Sequence, residues 1–203
     1  MRYYFDDINT WKNDVIEAVS KLSKTDYIEK YVNLMEEFQK SKAPSSKSFR
    51  KDFIAYYRFR GVSDEWLDLY FSLFSLCKKN NIFDFNYVLD SIHSFSYEGH
   101  FDRRVHPVFA SKMIATVYPN MPIYDSHVIS VLNLKTVDAD NDEYRIVQAK
   151  QNYNEIVRCY AMIYGLEIEK IGISAFDAVF PDYKDLVSNV KKIDFILWAV
   201  FEK

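Results

Sequence analysis

The sequence predicts an all-α protein of about eight to ten helices, and three observations carry that reading. Glycine is scarce, with four in 203 residues, whereas all-β folds consume glycine in their turns. Apolar residues recur at three-and-four spacing through most of the chain. No stretch sustains the strict alternation of a half-buried strand.

The elements follow in order. The first helix starts after Asp7 or Thr10 and runs to about residue 23, because Trp11, Val15, Ala18, Val19 and Leu22 form one apolar stripe. A second spans about 26–40, with Ile28, Tyr31, Val32, Leu34, Met35 and Phe38 inside. Residues 41–46 hold Lys, Ala, Pro and Ser and read as a flexible basic edge. The third helix begins at Ser46 or Ser48, carries Phe49, Phe53, Tyr56, Tyr57 and Phe59, and ends at Gly61. Ser63 caps a fourth helix with Asp64 and Glu65 in its first turn. It is apolar nearly all round, so it is expected to be the most buried. A fifth helix covers about 84–95, and 96–104 is a polar connection. Residues 105–128 read as an apolar helix, a Pro-bounded loop and the start of another helix. A long helix over about 141–164 turns Tyr144, Val147, Ile156, Tyr160 and Ile163 inward and stops at Gly165. A short helix begins at Gly172 and ends at Pro181, and the last runs from about 183 to 201. The whole chain, 1–203, reads as one all-helical domain with two lobes: the helices of 1–104, and the C-terminal helices around the 105–135 segment.

Composition narrows the function classes. Apolar residues make up 49% and charged residues 27%, the balance of a folded globular chain. Most of the 16 Phe, 16 Tyr and 3 Trp belong to the core, although tyrosines also suit a groove that stacks bases. The net charge of −3 disfavours a uniformly basic nucleic-acid coat, but between residues 40 and 60 there are seven basic residues and one acid. Cys77 and Cys159 stand apart in apolar helical contexts and read as free thiols of a reducing compartment. The N-terminus lacks a signal-peptide pattern, and no apolar window is long enough to span a bilayer. A cytoplasmic location follows, nucleoid-associated in a bacterium or nuclear in a eukaryote, with no membrane partner.

Most catalytic signatures are absent. There is no Gly-rich phosphate loop, serine-nucleophile motif or HExxH pair. His93, His100, His106 and His127 do not fall at helical ligand spacing, so no metal site is expected. What remains is Lys112 and Asp125. Lys112 shares a helical ridge with Val108, Phe109, Ala115 and Thr116. Such a lysine either reaches past its neighbours to water or is held in a dry pocket, where desolvation favours the neutral, nucleophilic amine. Asp125 precedes the apolar run of Val128, Ile129, Val131 and Leu132, the place of an N-cap. One oxygen can cap while the other faces a pocket.

Two short stretches carry a family resemblance. Phe109-Ala-Ser-Lys112-Met-Ile-Ala115 and Tyr124-Asp125-Ser126-His127-Val128 resemble the lysine and aspartate elements of the helix-hairpin-helix DNA glycosylases, the superfamily of endonuclease III and the 8-oxoguanine glycosylases. The match covers about 25 residues. The glycines usual ahead of the lysine are missing from His106-Pro-Val-Phe-Ala-Ser111, and no four-cysteine run for an iron–sulfur cluster is present. The resemblance implies a cleft between two helical lobes and a base-excision glycosylase with abasic-site lyase activity. Lys112 would be its Schiff-base nucleophile and Asp125 its catalytic carboxylate. DNA carrying a damaged or modified base would be the partner, with no cofactor and no obligate protein partner. Lys47, Arg50, Lys51, Arg58, Arg103 and Arg104 would contact phosphates, and Asp194 and Trp198 would line the base pocket. The alternative is a non-catalytic helical nucleic-acid-binding or interaction protein with the same fold.

Overall fold

The computed structural model describes residues 7–40, 42–99, 105–134 and 141–201. The protein is all-α: the described residues form ten α-helices and two 3-10 turns, with no strand. The helices are α1 (Ile8–Leu22), α2 (Tyr27–Gln39), α3 (Lys47–Tyr56), α4 (Asp64–Asn80), α5 (Phe85–Glu98), α6 (Pro107–Val117), α7 (Ser126–Val131), α8 (Asp142–Ile163), α9 (Glu167–Val179) and α10 (Asn189–Phe201). No described helix is long and apolar enough to cross a membrane.

The chain divides into two compact units. One comprises Met1–Val32, Pro119–Thr136 and Asn152–Lys203, and the other Asn33–Tyr118 and Val137–Gln151. We call them the α10 unit and the α4 unit. Both are discontinuous in sequence, and α2 and α8 each contribute a half to either one.

In the α10 unit, α1 packs on α9 and α10, and α7 packs on α10. The predicted stripe of α1 is the buried one, and the Asp7 carboxylate caps the helix by accepting the N–H groups of Asn9 and Thr10. Trp11 lies at the centre and donates its indole N–H to the Ile168 carbonyl at 2.8 Å. Helix α9 starts at Glu167, five residues before the expected Gly172, which lies inside it. Close packing explains the glycine: a Cβ there would meet Ile193 Cδ1 at 2.7 Å and Trp11 at 3.3 Å. Gly165, at φ 74°, ends α8 as expected. Helix α10 begins at Asn189, later than residue 183, because Pro181–Tyr183 forms a 3-10 turn and Ser188 caps the new helix through the Lys191 N–H.

The α4 unit has an aromatic core. Phe53 of α3 is fully buried against the rings of Phe49, Phe71 and Phe74, and Trp66 stacks on Tyr70 at 5.4 Å. Helix α4 is capped by Ser63, as expected, but it is not buried all round: Leu69 and Leu76 are 40% and 42% exposed. The most buried helix is α10, where all of residues 191–197 are buried. Helix α5 extends to Glu98, so Ser96 lies in a helix rather than a polar connection; its buried hydroxyl accepts the Trp66 indole N–H at 2.8 Å. Ala43 and Pro44 are buried in a 3-10 turn against α4 instead of forming a flexible edge. Tyr144 and Val147 of α8 are half exposed, and Ala149 is the buried residue of that stretch.

Helix α3 stops before Gly61. Its terminating residue is Arg58, left-handed at φ 52°, with Phe59 N–H bonded to Ile54 O and Arg58 N–H to Ala55 O. This is the double bond of a Schellman cap with arginine in the glycine position. Asn81 and Asn133 take the same role after α4 and α7. Short of glycine, the chain ends α3, α4 and α7 on arginine and asparagine, and α8 on Gly165.

Candidate functional site

Lys112 belongs to the α4 unit. Pro107 opens α6 at a position where no N–H is needed, and places Lys112 in the second turn beside buried Ser111 and Met113. The partly exposed side chain does not simply run out to water. Its ammonium donates to the Tyr57 carbonyl at 3.0 Å and lies 5.2 Å and 5.8 Å from the Tyr57 and Phe59 ring centres. Tyr57 is the C-cap of α3, where the helix dipole is negative, so a cation is favoured there. Phe59 stacks on Phe109 at 4.1 Å, which fixes this frame to the helix that carries the lysine. His106, buried ahead of α6, stacks on Phe109 in place of a glycine hairpin.

Asp125 belongs to the α10 unit. It is the N-cap of α7, as its position predicted, and Oδ1 accepts the His127 N–H at 2.8 Å. The non-helical residues before it are gripped from α8 and the start of α10. Ser188 Oγ donates to Pro119 O at 2.5 Å, Tyr153 OH to Pro122 O at 3.1 Å, and Asn152 Nδ2 to Tyr124 OH at 3.2 Å.

Behind this segment lies a buried ionic cluster. Tyr160 OH donates to Asp194 Oδ1 at 2.6 Å, and Lys191 Nζ lies 3.8 Å from Oδ2. Burial raises the Asp194 carboxyl to about 6, against the opposing pull of Lys191, Tyr160 and the Ile123 N–H; the Asp125 charge pushes it further up. Burial lowers the Lys191 ammonium, opposed by Asp194 and Asp125. The same lysine lies over the Tyr31 and Phe195 rings at 5.3 Å and 4.8 Å. The sequence pattern placed Tyr160 inward but did not single out Lys191, Tyr153 or Asn152. One usable signal was there: Lys191 and Asp194 stand three apart in a nearly continuous apolar helix.

The other candidates fall as follows. Asp194 is locked in this cluster, and part-exposed Trp198 stacks on Tyr27 at 4.8 Å. An open cleft of about 520 Å³ in the α10 unit is lined by Met121, Pro122, Tyr160, Ile163, Glu169 and Ile193 among others, and neither Asp194 nor Trp198 lines it. Lys47 and Lys51 are exposed one turn apart on α3, with exposed Arg58 just past its end. Arg50 is turned inward: Nη1 pairs with Asp68 at 2.5 Å, Nε donates to Pro44 O, and the guanidinium lies over Phe71. Arg103 and Arg104 lie outside the described residues. Among the described residues no three His, Cys, Asp or Glu side chains gather as a metal site. Cys77 and Cys159 are buried, with burial raising both thiols to about 11, so neither is poised as a thiolate. Comparison of the chain with family models, curated proteins and solved structures found no match.

Proposed function

We propose that the chain is a DNA base-excision glycosylase with abasic-site lyase activity, in which Lys112 is the nucleophile and Asp125 the catalytic carboxylate. The observation that most supports this reading is Asp125: its cap uses Oδ1, which leaves Oδ2 for substrate. The Tyr57 carbonyl holds the Lys112 nitrogen in place, and on this reading the amine attacks after giving up its proton to solvent.

The target base leaves the stack first. The glycosidic C–N bond then breaks, the base departing with the electron pair and taking up a proton. The ionised Asp125 stabilises the positive charge developing on the sugar. The Lys112 nitrogen bonds to C1′, and ring opening moves its proton to the sugar oxygen and leaves a Schiff base. Loss of a C2′ proton then expels the 3′-phosphate, and water releases the lysine. Lys47, Lys51 and Arg58 contact phosphates.

Borohydride reduction on duplexes carrying abasic sites and uracil, oxidised or alkylated bases tests the reading. A covalent adduct that disappears in Lys112→Gln is expected. Base release that survives Lys112→Gln and is lost in Asp125→Asn identifies a glycosylase without lyase activity. Neither adduct nor release across the set overturns the reading.

The second reading is a non-catalytic nucleic-acid-binding protein. Lys112 favours it by occupying a helix C-terminus, as Lys78 does at the end of α2, where its ammonium donates to the Phe38 and Lys40 carbonyls. On that reading, DNA affinity falls in Lys47→Ala/Lys51→Ala and is unchanged in Lys112→Gln.

A further inference from the structure

Glu169 is the charged residue that lines the cleft of the α10 unit, and no basic residue lines it. Glu169 is only 8% exposed, yet among the described residues it makes no ion pair. Oε2 accepts the Gly165 N–H at 2.6 Å, and Oε1 has no hydrogen-bond partner among the described residues. The dipole of α9 does not account for this burial. Glu167 stands in the same first turn, is 69% exposed and pairs with Lys12 at 3.8 Å, so the helix start has its carboxylate without Glu169. An unpaired carboxylate held this far from water is costly, and a positive group entering the cleft would offset that cost. The cleft also lies on the last turn of α8: Tyr160, Ala161 and Ile163 line it, with Tyr164 just past the helix end. That turn carries no basic residue. Lys78 and Lys112 serve the ends of α2 and α3, but among the described residues no lysine or arginine donates to the carbonyls that end α8.

We propose that this cleft is a binding site for a small organic amine in its ammonium form. The ammonium donates to Glu169 Oε1 and stands at the negative end of α8, while an alkyl or aromatic body rests on Met121, Pro122, Ile163 and Ile193. Tyr160 and Tyr164, four positions apart, add the attraction of their rings for a cation. The Tyr160 hydroxyl is engaged by Asp194, so its ring is what it offers. Tyr164 is 75% exposed, a large ring left in water until a ligand covers it. A phosphate or carboxylate ligand would meet the Glu169 charge and the helix end with no lining cation to receive it. The volume of about 520 Å³ suits a ligand up to the size of a small drug. This site includes neither Lys112 nor Asp125, so it stands apart from the glycosylase reading.

Butylamine, phenethylamine and tryptamine, titrated into the intact chain at neutral pH and followed by amide ¹⁵N–¹H shifts, test the proposal. Each is compared with the alcohol and the carboxylate of the same skeleton. At least one amine is expected to give saturable shifts at Tyr164, Gly165 and Glu169, with a Kd of about 1 mM or tighter. Its alcohol, which has the shape without the charge, is expected to bind about tenfold or more weakly, and its carboxylate not to bind. Glu169→Gln keeps an acceptor for the Gly165 N–H; it is expected to lower amine affinity about tenfold or more while the urea midpoint changes little. Ala161→Phe fills the cleft from an exposed position and is expected to abolish binding. No saturable shift with any of the three amines up to about 10 mM, equal affinity for amine and alcohol, shifts confined to residues away from the cleft, or affinity that survives Glu169→Gln overturns the proposal. Should Glu169→Gln fail to fold, the amine–alcohol comparison on the unaltered chain and the Ala161→Phe titration decide it.

Discussion

Inward-turned lysines end on different partners in the two units. In the α4 unit, Lys78 and Lys112 end on backbone carbonyls at the C-termini of α2 and α3, each close to an aromatic ring. In the α10 unit, Lys191 and Lys192 end on the carboxylates of Asp194 and Asp177, at 3.8 Å and 2.6 Å. A carbonyl partner cannot be protonated in the ordinary pH range, whereas a carboxylate can. Acid therefore leaves the carbonyl grips on Lys78 and Lys112 intact and acts on the Lys191–Asp194 pair. The α4 unit places its cohesion in stacked rings; the α10 unit carries charges inside, where desolvation makes a broken pair costly.

Removing a central ring of the α4 unit should have the largest effect. Phe53→Ala empties a site packed on several rings and is expected to cost about 3–5 kcal/mol, read from the urea midpoint, with little dependence on pH. Asp194→Asn should act differently. The native carboxyl keeps its proton up to about 6 and the unfolded one up to 3.8, so the native state binds more protons between those values. This contribution is therefore fully present below about pH 4 and is lost as pH rises through 6, a swing of about 3 kcal/mol at most. Asp194→Asn is expected to flatten that part of the stability–pH curve, and a slope unchanged from wild type would show that the cluster does not carry it.

The carbonyl-bound lysines come next. Lys78→Met and Lys112→Met are each expected to lose about 1 kcal/mol, and Lys112→Arg about 0.5 kcal/mol or less because the cation stays at the helix end. Borohydride trapping separates stability from chemistry, since Lys112→Arg retains the charge but not the nucleophile. The smallest effect belongs to the Arg50–Asp68 pair, whose carboxylate is 73% exposed; a double-mutant cycle should give a coupling below about 1 kcal/mol that shrinks in salt.

What was legible in the sequence follows from what is local. The α1 stripe, the Ser63 cap and the Asp125 cap depend on residues within one or two turns, and the structure has them where the pattern places them. The end of α3 was missed because a Schellman cap depends on backbone shape: glycine is the usual residue, and Arg58 adopts the left-handed conformation instead. Burial of α4 was overestimated because an apolar surface does not name what covers it. Asp194 was named as a pocket residue, but its burial beside Lys191 was missed for the converse reason. Two charges near a helix start usually face water, and only Tyr31, Tyr153 and Tyr160, brought from α2 and α8, make their burial possible. For the candidate site, the two residue types and the cap were visible, but the Tyr57 carbonyl that receives Lys112 lies 55 positions away.

The indole bond of Trp11 spans 157 positions, from α1 to the start of α9. That span sets a schedule for birth on the ribosome. At ~5–20 residues per second, α1 waits on the order of ten seconds or more after synthesis before the helices that cover it exist. Through that interval its apolar stripe lacks α9 and α10, the helices it packs on, while α3 and α4 can already close most of their aromatic core. The α4 unit can thus form its local contacts during translation, and the α10 unit must assemble after it. Of the two, the newborn α1 is the segment with the greater need of a chaperone.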